Sequence, residues 1–109
     1  MTQGDAEINV TVTLELPGSL RDLNEGRPTV ELRAAPAAAS TTPSTVGDAL
    51  AALRGVRPAV YDRLVTERGE VRTHVNLFVD GEEIRQTGGL GTPLAEDARI
   101  LVVPAVSGG

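Results

Sequence analysis

The 109-residue chain has a formal net charge of -5, is 40% hydrophobic but only 2% aromatic, and contains no cysteine. That length suits one domain, whose core must be filled by Val, Leu, Ile and Ala. The missing thiols rule out disulfides, thiolate metal sites and Cys nucleophiles, the acidic balance argues against nucleic-acid binding, and no apolar stretch approaches the ~20 residues that span a membrane.

Residues 1–7 are polar and are expected to fray. Met1-Thr2-Gln3-Gly4-Asp5 lacks the basic start and apolar run of a signal peptide, so a cytoplasmic protein is expected. A single domain is expected over 8–106. Its first strand is Ile8–Leu16, where five apolar residues alternate with four polar ones. Pro17-Gly18 stops it, and a polar stretch runs to Arg27-Pro28. A second alternating strand, Thr29–Arg33, turns Val30 and Leu32 inward. Residues 34–44 (AAPAAASTTPS) are low in complexity, and Pro36 and Pro43 make them an irregular loop.

Thr45-Val46-Gly47-Asp48 reads as a helix start, with Thr45 as cap and Asp48 at the positive helix end. Val46, Ala49, Leu50 and Leu53 form one apolar stripe, and Gly55 is expected to end the helix. Pro58 opens a second short turn with Val60, Tyr61, Leu64 and Val65 inward. Val71–Val79 alternates again, with Val71, Val75, Leu77 and Val79 facing the core. Asp80-Gly81 is a hairpin-turn dipeptide, and Glu82–Arg85 forms the return strand. Residues 87–94 are a turn-rich connector in which Leu90 and Leu94 are candidate anchors. Ala98–Val106 is nearly all apolar, the mark of a central buried strand. The order β-β-α-β-β-β, with one main helix on one face of a mixed sheet, gives the α+β class. The first and last strands should lie parallel in the centre. The expected core contains Ile8, Val10, Val12, Leu14, Val30, Leu50, Leu53, Leu77, Ile100 and Val102.

The segment Leu77–Ile84, the run Ile100–Val103 and the terminal Gly108-Gly109 resemble the β-grasp fold of ubiquitin-like proteins, and more closely the MoaD/ThiS family of bacterial sulfur carriers. Val75–Val79, Gly88-Gly89 and the ending Leu101–Gly109 look like the actinobacterial carriers used in cysteine synthesis. The likeness spans residues 8–109 and is most specific in the last ~40 residues, while the 34–44 loop departs from it. The resemblance implies that Gly109 is adenylated by an E1-like (MoeB/ThiF-type) activating enzyme, which uses ATP. It implies a thiocarboxylate at Gly109 that donates sulfur to a biosynthetic enzyme, such as a PLP-dependent cysteine synthase. It also implies a carrier that is not itself an enzyme, holds no cofactor or metal, touches neither nucleic acid nor membrane, and is monomeric when free. Molybdopterin or thiazole synthesis, or protein modification through Gly109, are the alternative destinations.

The tail 107–109 has a physical rationale for such a role. Gly108 and Gly109 lack Cβ atoms and can thread into a narrow site, and Val106 and Ser107 lead into it. All ten positions counted as Lys or Arg are Arg, so apart from the N-terminal amine no primary amine is available to attack an activated carboxyl group. Phe78 is expected to point outward, beside Leu101 and Val103 of the last strand. The three form a candidate partner-binding patch, unless the 34–44 loop covers them. Other residue groups read as structural. Gly88–Gly91 lacks the Lys and following helix of a phosphate loop. His74, the single histidine, is expected on the outward face of a strand with no partner at meaningful spacing. Glu82-Glu83 and Glu96-Asp97 read as solvated or partner-facing acids.

Overall fold

A computed structural model describes residues 10–35 and 44–104. The expectations for 1–7, Ile8, the interior of the 34–44 loop and Val106–Gly109 lie outside the described residues. Strand β1 (Val10–Glu15) pairs antiparallel with β2 (Thr29–Ala34), from Val10 opposite Ala34 to Glu15 opposite Thr29. Ala34 is thus a buried strand residue, not the start of the loop. At the loop's other end, buried Ser44 donates from Oγ to the Ala34 carbonyl at 2.7 Å.

The polar stretch between the first two strands contains a 3-10 helix, Gly18–Asn24, which the sequence reading missed. Leu20 and Leu23 recur at its period of three and pack against the core. Asn24 closes it from a buried position. Its Nδ2 donates to the carbonyls of Arg27 (3.0 Å) and Thr29 (2.9 Å), and its Oδ1 accepts from Arg57 Nε (2.7 Å).

Helix α1 (Val46–Val56) begins with the expected cap. The Thr45 hydroxyl accepts from the Asp48 amide, and the Asp48 carboxylate accepts from the Thr45 amide. Val46, Ala49, Leu50 and Leu53 are buried as the stripe requires. Gly55 does not end the helix. It adopts no left-handed conformation, and the helix continues to Val56. The terminator is Pro58, which drives the preceding residue out of the helical region. Arg57 accordingly sits at φ -141°, ψ 71°, closing α1 and opening α2 (Pro58–Leu64). Val60, Leu64 and Val65 are buried, and Tyr61 is half-buried beneath Arg54.

Strand β3 covers only Val75–Val79, not 71–79. The Arg72 amide bonds the Leu64 carbonyl and the Val75 amide bonds the Arg72 carbonyl, so 72–74 is a turn tied to the end of α2. Val71 makes a single bridge to Val65, and His74 is exposed in the turn, not on a strand face. Asp80 (φ 48°) and Gly81 (φ 93°) form the expected tight hairpin. The return strand β4 is only Glu82–Glu83, because Ile84 starts a 3-10 turn that drops its side chain into the core. Strand β5 is Arg99–Pro104.

The sheet order is β2-β1-β5-β3-β4. Strands β1 and β5 are the parallel central pair, with Leu14 beside Ile100. Both helices cover one face, and the architecture is the α+β β-grasp arrangement expected. Of the ten expected core residues, Val12, Leu14, Val30, Leu50, Leu53, Leu77, Ile100 and Val102 are buried, while Val10 is half-buried. Among the described residues no helix is long and apolar enough to cross a membrane.

Candidate functional site

The helices leave one sheet face open, and this changes the reading of β5. Its apolar run is not buried on both sides. Ile100 and Val102 enter the core, whereas Leu101 is 42% exposed and Val103 half-buried on the open face. Register then builds the candidate patch. Phe78 of β3 stands opposite Leu101, and Asn76 stands opposite Val103. Side chains this close across a strand pair form one contact surface. Phe78, Leu101 and Val103, with Gly81, line a shallow groove of about 480 Å³.

The rim of this groove is polar, and the sequence reading singled out neither Glu15 nor Arg99 in it. Glu15 of β1 stands beside Leu101 of β5, and its carboxylate pairs with the Arg99 guanidinium. Asp80 holds the hairpin corner. Its Oδ1 accepts from the Arg99 amide at 3.0 Å, and its own amide donates to the Arg99 carbonyl at 2.9 Å. Glu15 and Arg99 are 84 residues apart, so only the parallel register of β1 and β5 brings them together. On the far side Glu83 faces Phe78 and pairs with Arg85 at 3.0 Å. An apolar floor with a charged rim is the anatomy of a protein-docking surface.

The other singled-out residues take structural places. Gly88 and Gly89 have φ of 122° and 61°, and the 3-10 turn Gly89–Gly91 is closed by Thr92, whose hydroxyl and amide both bond the Gly89 carbonyl. Glu96 accepts from the Thr11 amide, and the Asp97 amide donates to the Thr11 carbonyl. No group of acids or histidines among the described residues could hold a metal. Val106, Ser107, Gly108 and Gly109 lie outside the described residues. The last described one, Pro104, stands opposite Val75 at the end of the central strand.

The sequence profile of the ThiS family matches residues 14–109. The chain belongs to the ThiS family. This ThiS-family chain is 29% identical to the sulfur carrier protein CysO of Mycobacterium tuberculosis over 102 residues, covering 92% of this chain and all of that one. It is 39% identical to small archaeal modifier protein 1 of Haloferax volcanii over 66 residues, covering 61% of this chain and 71% of the relative. Among solved structures, a chain of the Amycolatopsis orientalis BexX/CysO complex superposes with a TM-score of 0.73 at 26% identity, over 90% of this chain and 99% of that one. One of these relatives is thus a sulfur carrier and the other a small modifier protein. The match reaches through the terminal Gly108-Gly109 and takes in β2, β3, β4 and β5 whole, with only the start of β1 outside it.

Proposed function

We propose that this protein carries sulfur on the C-terminal carboxylate of Gly109. An E1-like activating enzyme joins that carboxylate to the adenylyl group of ATP, releasing pyrophosphate. A sulfur nucleophile then displaces AMP and leaves a thiocarboxylate. A biosynthetic enzyme, most simply a PLP-dependent cysteine synthase, accepts the sulfur. The observation that carries this reading is the match to a sulfur carrier along that relative's entire length. The fold supports it, because the central strand that ends at Pro104 presents the tail from a firmly packed domain. Phe78, Leu101 and Val103 serve as the docking floor for the partner enzyme. The Amycolatopsis CysO, crystallised in a complex with BexX, is a relative that docks on another protein.

The likeness to small archaeal modifier protein 1 favours a second reading, attachment through Gly109 to lysines of other proteins. Intact-mass spectrometry of the protein from cells expressing its partners separates the two. A carrier exchanges one terminal oxygen for sulfur, while a modifier forms adducts on lysines. Deleting Gly109 abolishes either product and leaves thermal stability unchanged. An unchanged mass in the native chain, with full activity after the deletion, refutes both. Gly108→Val blocks entry to the activating site by steric exclusion and greatly reduces either product.

A further inference from the structure

The two outer strands of the sheet differ in kind. Strand β4 is two residues long and gives way at once to the turn that buries Ile84. Strand β2 is six residues long, and among the described residues no strand pairs with its outer side. Its ladder with β1 fixes which backbone groups stay open there. The Leu16 amide bonds the Pro28 carbonyl, so the register assigns Val30, Leu32 and Ala34 to the positions that bond β1. The N–H and C=O groups of Glu31 and Arg33 therefore point to the outer side. Thr29 belongs to the same set, but its carbonyl already accepts from Asn24. The Glu31 and Arg33 side chains are exposed, and neither takes part in an ion pair. A bare edge of this length is a template for another strand.

The charges on the edge select which strand fits. When β2 pairs antiparallel with β2 of a second copy, only residues whose backbone groups point outward exchange hydrogen bonds. A register that sets Glu31 opposite Glu31, or Arg33 opposite Arg33, holds like charges about 5 Å apart. The register centred on Leu32 sets Glu31 of each copy opposite Arg33 of the other. It forms an ion pair and a pair of main-chain hydrogen bonds on each side of a two-fold axis, so the edge is complementary to itself. A separate observation marks the same edge. Val56, at the end of α1, is 54% exposed and lines a depression of about 250 Å³ with Thr29, Val30 and Glu31. Leu101, the other exposed large apolar residue described, belongs to the docking groove. We propose that β2 is a self-association edge. Two copies of this chain join β2 to β2, antiparallel, with Leu32 beside Leu32 and each Val56 covered by the other copy. This pairing replaces the monomer expected of the free chain. It leaves the Phe78–Leu101 groove open, because β1 lies between β2 and β5, and it does not depend on what Gly109 carries.

The test is sedimentation equilibrium of the full chain from about 10 μM to about 1 mM, a range suited to an interface smaller than the standard size. The native chain shifts from monomer to dimer across it. Glu31→Arg sets Arg opposite Arg, Arg33→Glu sets Glu opposite Glu, and each variant alone weakens the dimer at least ten-fold at low salt. An equimolar mixture of the two regains it, as does the double swap Glu31→Arg/Arg33→Glu. Val56→Asp weakens it as well. Circular dichroism and thermal melts confirm that the variants remain folded, since all three positions are exposed. A chain that stays monomeric to about 1 mM overturns the proposal and leaves the edge to a strand of some other protein. A dimer indifferent to the single charge reversals, or one not regained by the double swap, overturns it too. So does a dimer that Leu101→Asp abolishes and the β2 variants leave intact, which would place the contact on the docking groove.

Discussion

Truncating Leu101 gives the sharpest check on the docking groove. Fully burying a Leu side chain contributes about 1.5–3 kcal/mol. Leu101 is 42% exposed in the free protein. Covering that remainder on docking is therefore worth about 0.6–1.3 kcal/mol, or about a three- to nine-fold change in affinity. Leu101→Ala should lower kcat/KM for activation by about that factor, read as pyrophosphate release at a series of carrier concentrations well below KM. Leu101→Asp should do far more. It places a charge on the docking floor beside Glu15 and Asp80, and an unpaired charge desolvated in an interface costs several kcal/mol, a loss beyond about 100-fold. The packed part of Leu101 contributes about 1–2 kcal/mol to the fold, so both variants should melt about 5–15 °C lower and yet remain folded at assay temperature. Phe78→Asp tests the same floor, but Phe78 is half-buried in the sheet, so Leu101 separates docking from stability more cleanly. A folded Leu101→Asp variant that is activated as well as the native chain would refute the docking role of this face.

Asn24→Ala removes the acceptor of Arg57 and the donor to two carbonyls, and should cost about 1–3 kcal/mol by denaturant titration. Thr45→Ala deletes half of the α1 capping box and should cost about 1 kcal/mol, seen as a lower midpoint with an unchanged slope. Gly81→Val forces a β-branched residue to φ 93°. It should destabilise by about 1–3 kcal/mol even though the position is spacious, and so cannot be rescued by trimming a neighbour.

The sequence made legible whatever rests on strong periodicity or on local hydrogen-bonding chemistry. The alternation in β1, the Thr45/Asp48 cap, the α1 stripe and the Asp80-Gly81 corner all appear where expected. The parallel pairing of β1 with β5 was legible because the crossing helix leaves that arrangement as the simplest one. The 3-10 helix at Gly18–Asn24 escaped because two leucines three apart are too short a pattern to stand out in a polar run. The start of β3 was misplaced because Val71 keeps the alternation while its neighbours hydrogen-bond to the end of α2 instead. Gly55 has the look of a helix stop, but the constraint comes from Pro58 acting on Arg57. Of the candidate site, Phe78, Leu101 and Val103 were legible from alternation alone. The rim was not, since Glu15 and Arg99 meet only through tertiary register.

The central position of β5 has a mechanical consequence. If, as the proposed function requires, an enzyme seizes the tail, it pulls along a strand bonded on both sides, parallel to β1 and antiparallel to β3. A force along that axis loads the flanking ladders together, as shear, and does not peel hydrogen bonds away one at a time as it would from an edge strand. The tug is passed through Ile100 and Val102 into the side chains beneath both helices. On the proposed function the domain would serve as a rigid handle: a partner could grip and release the tail while the body keeps its shape.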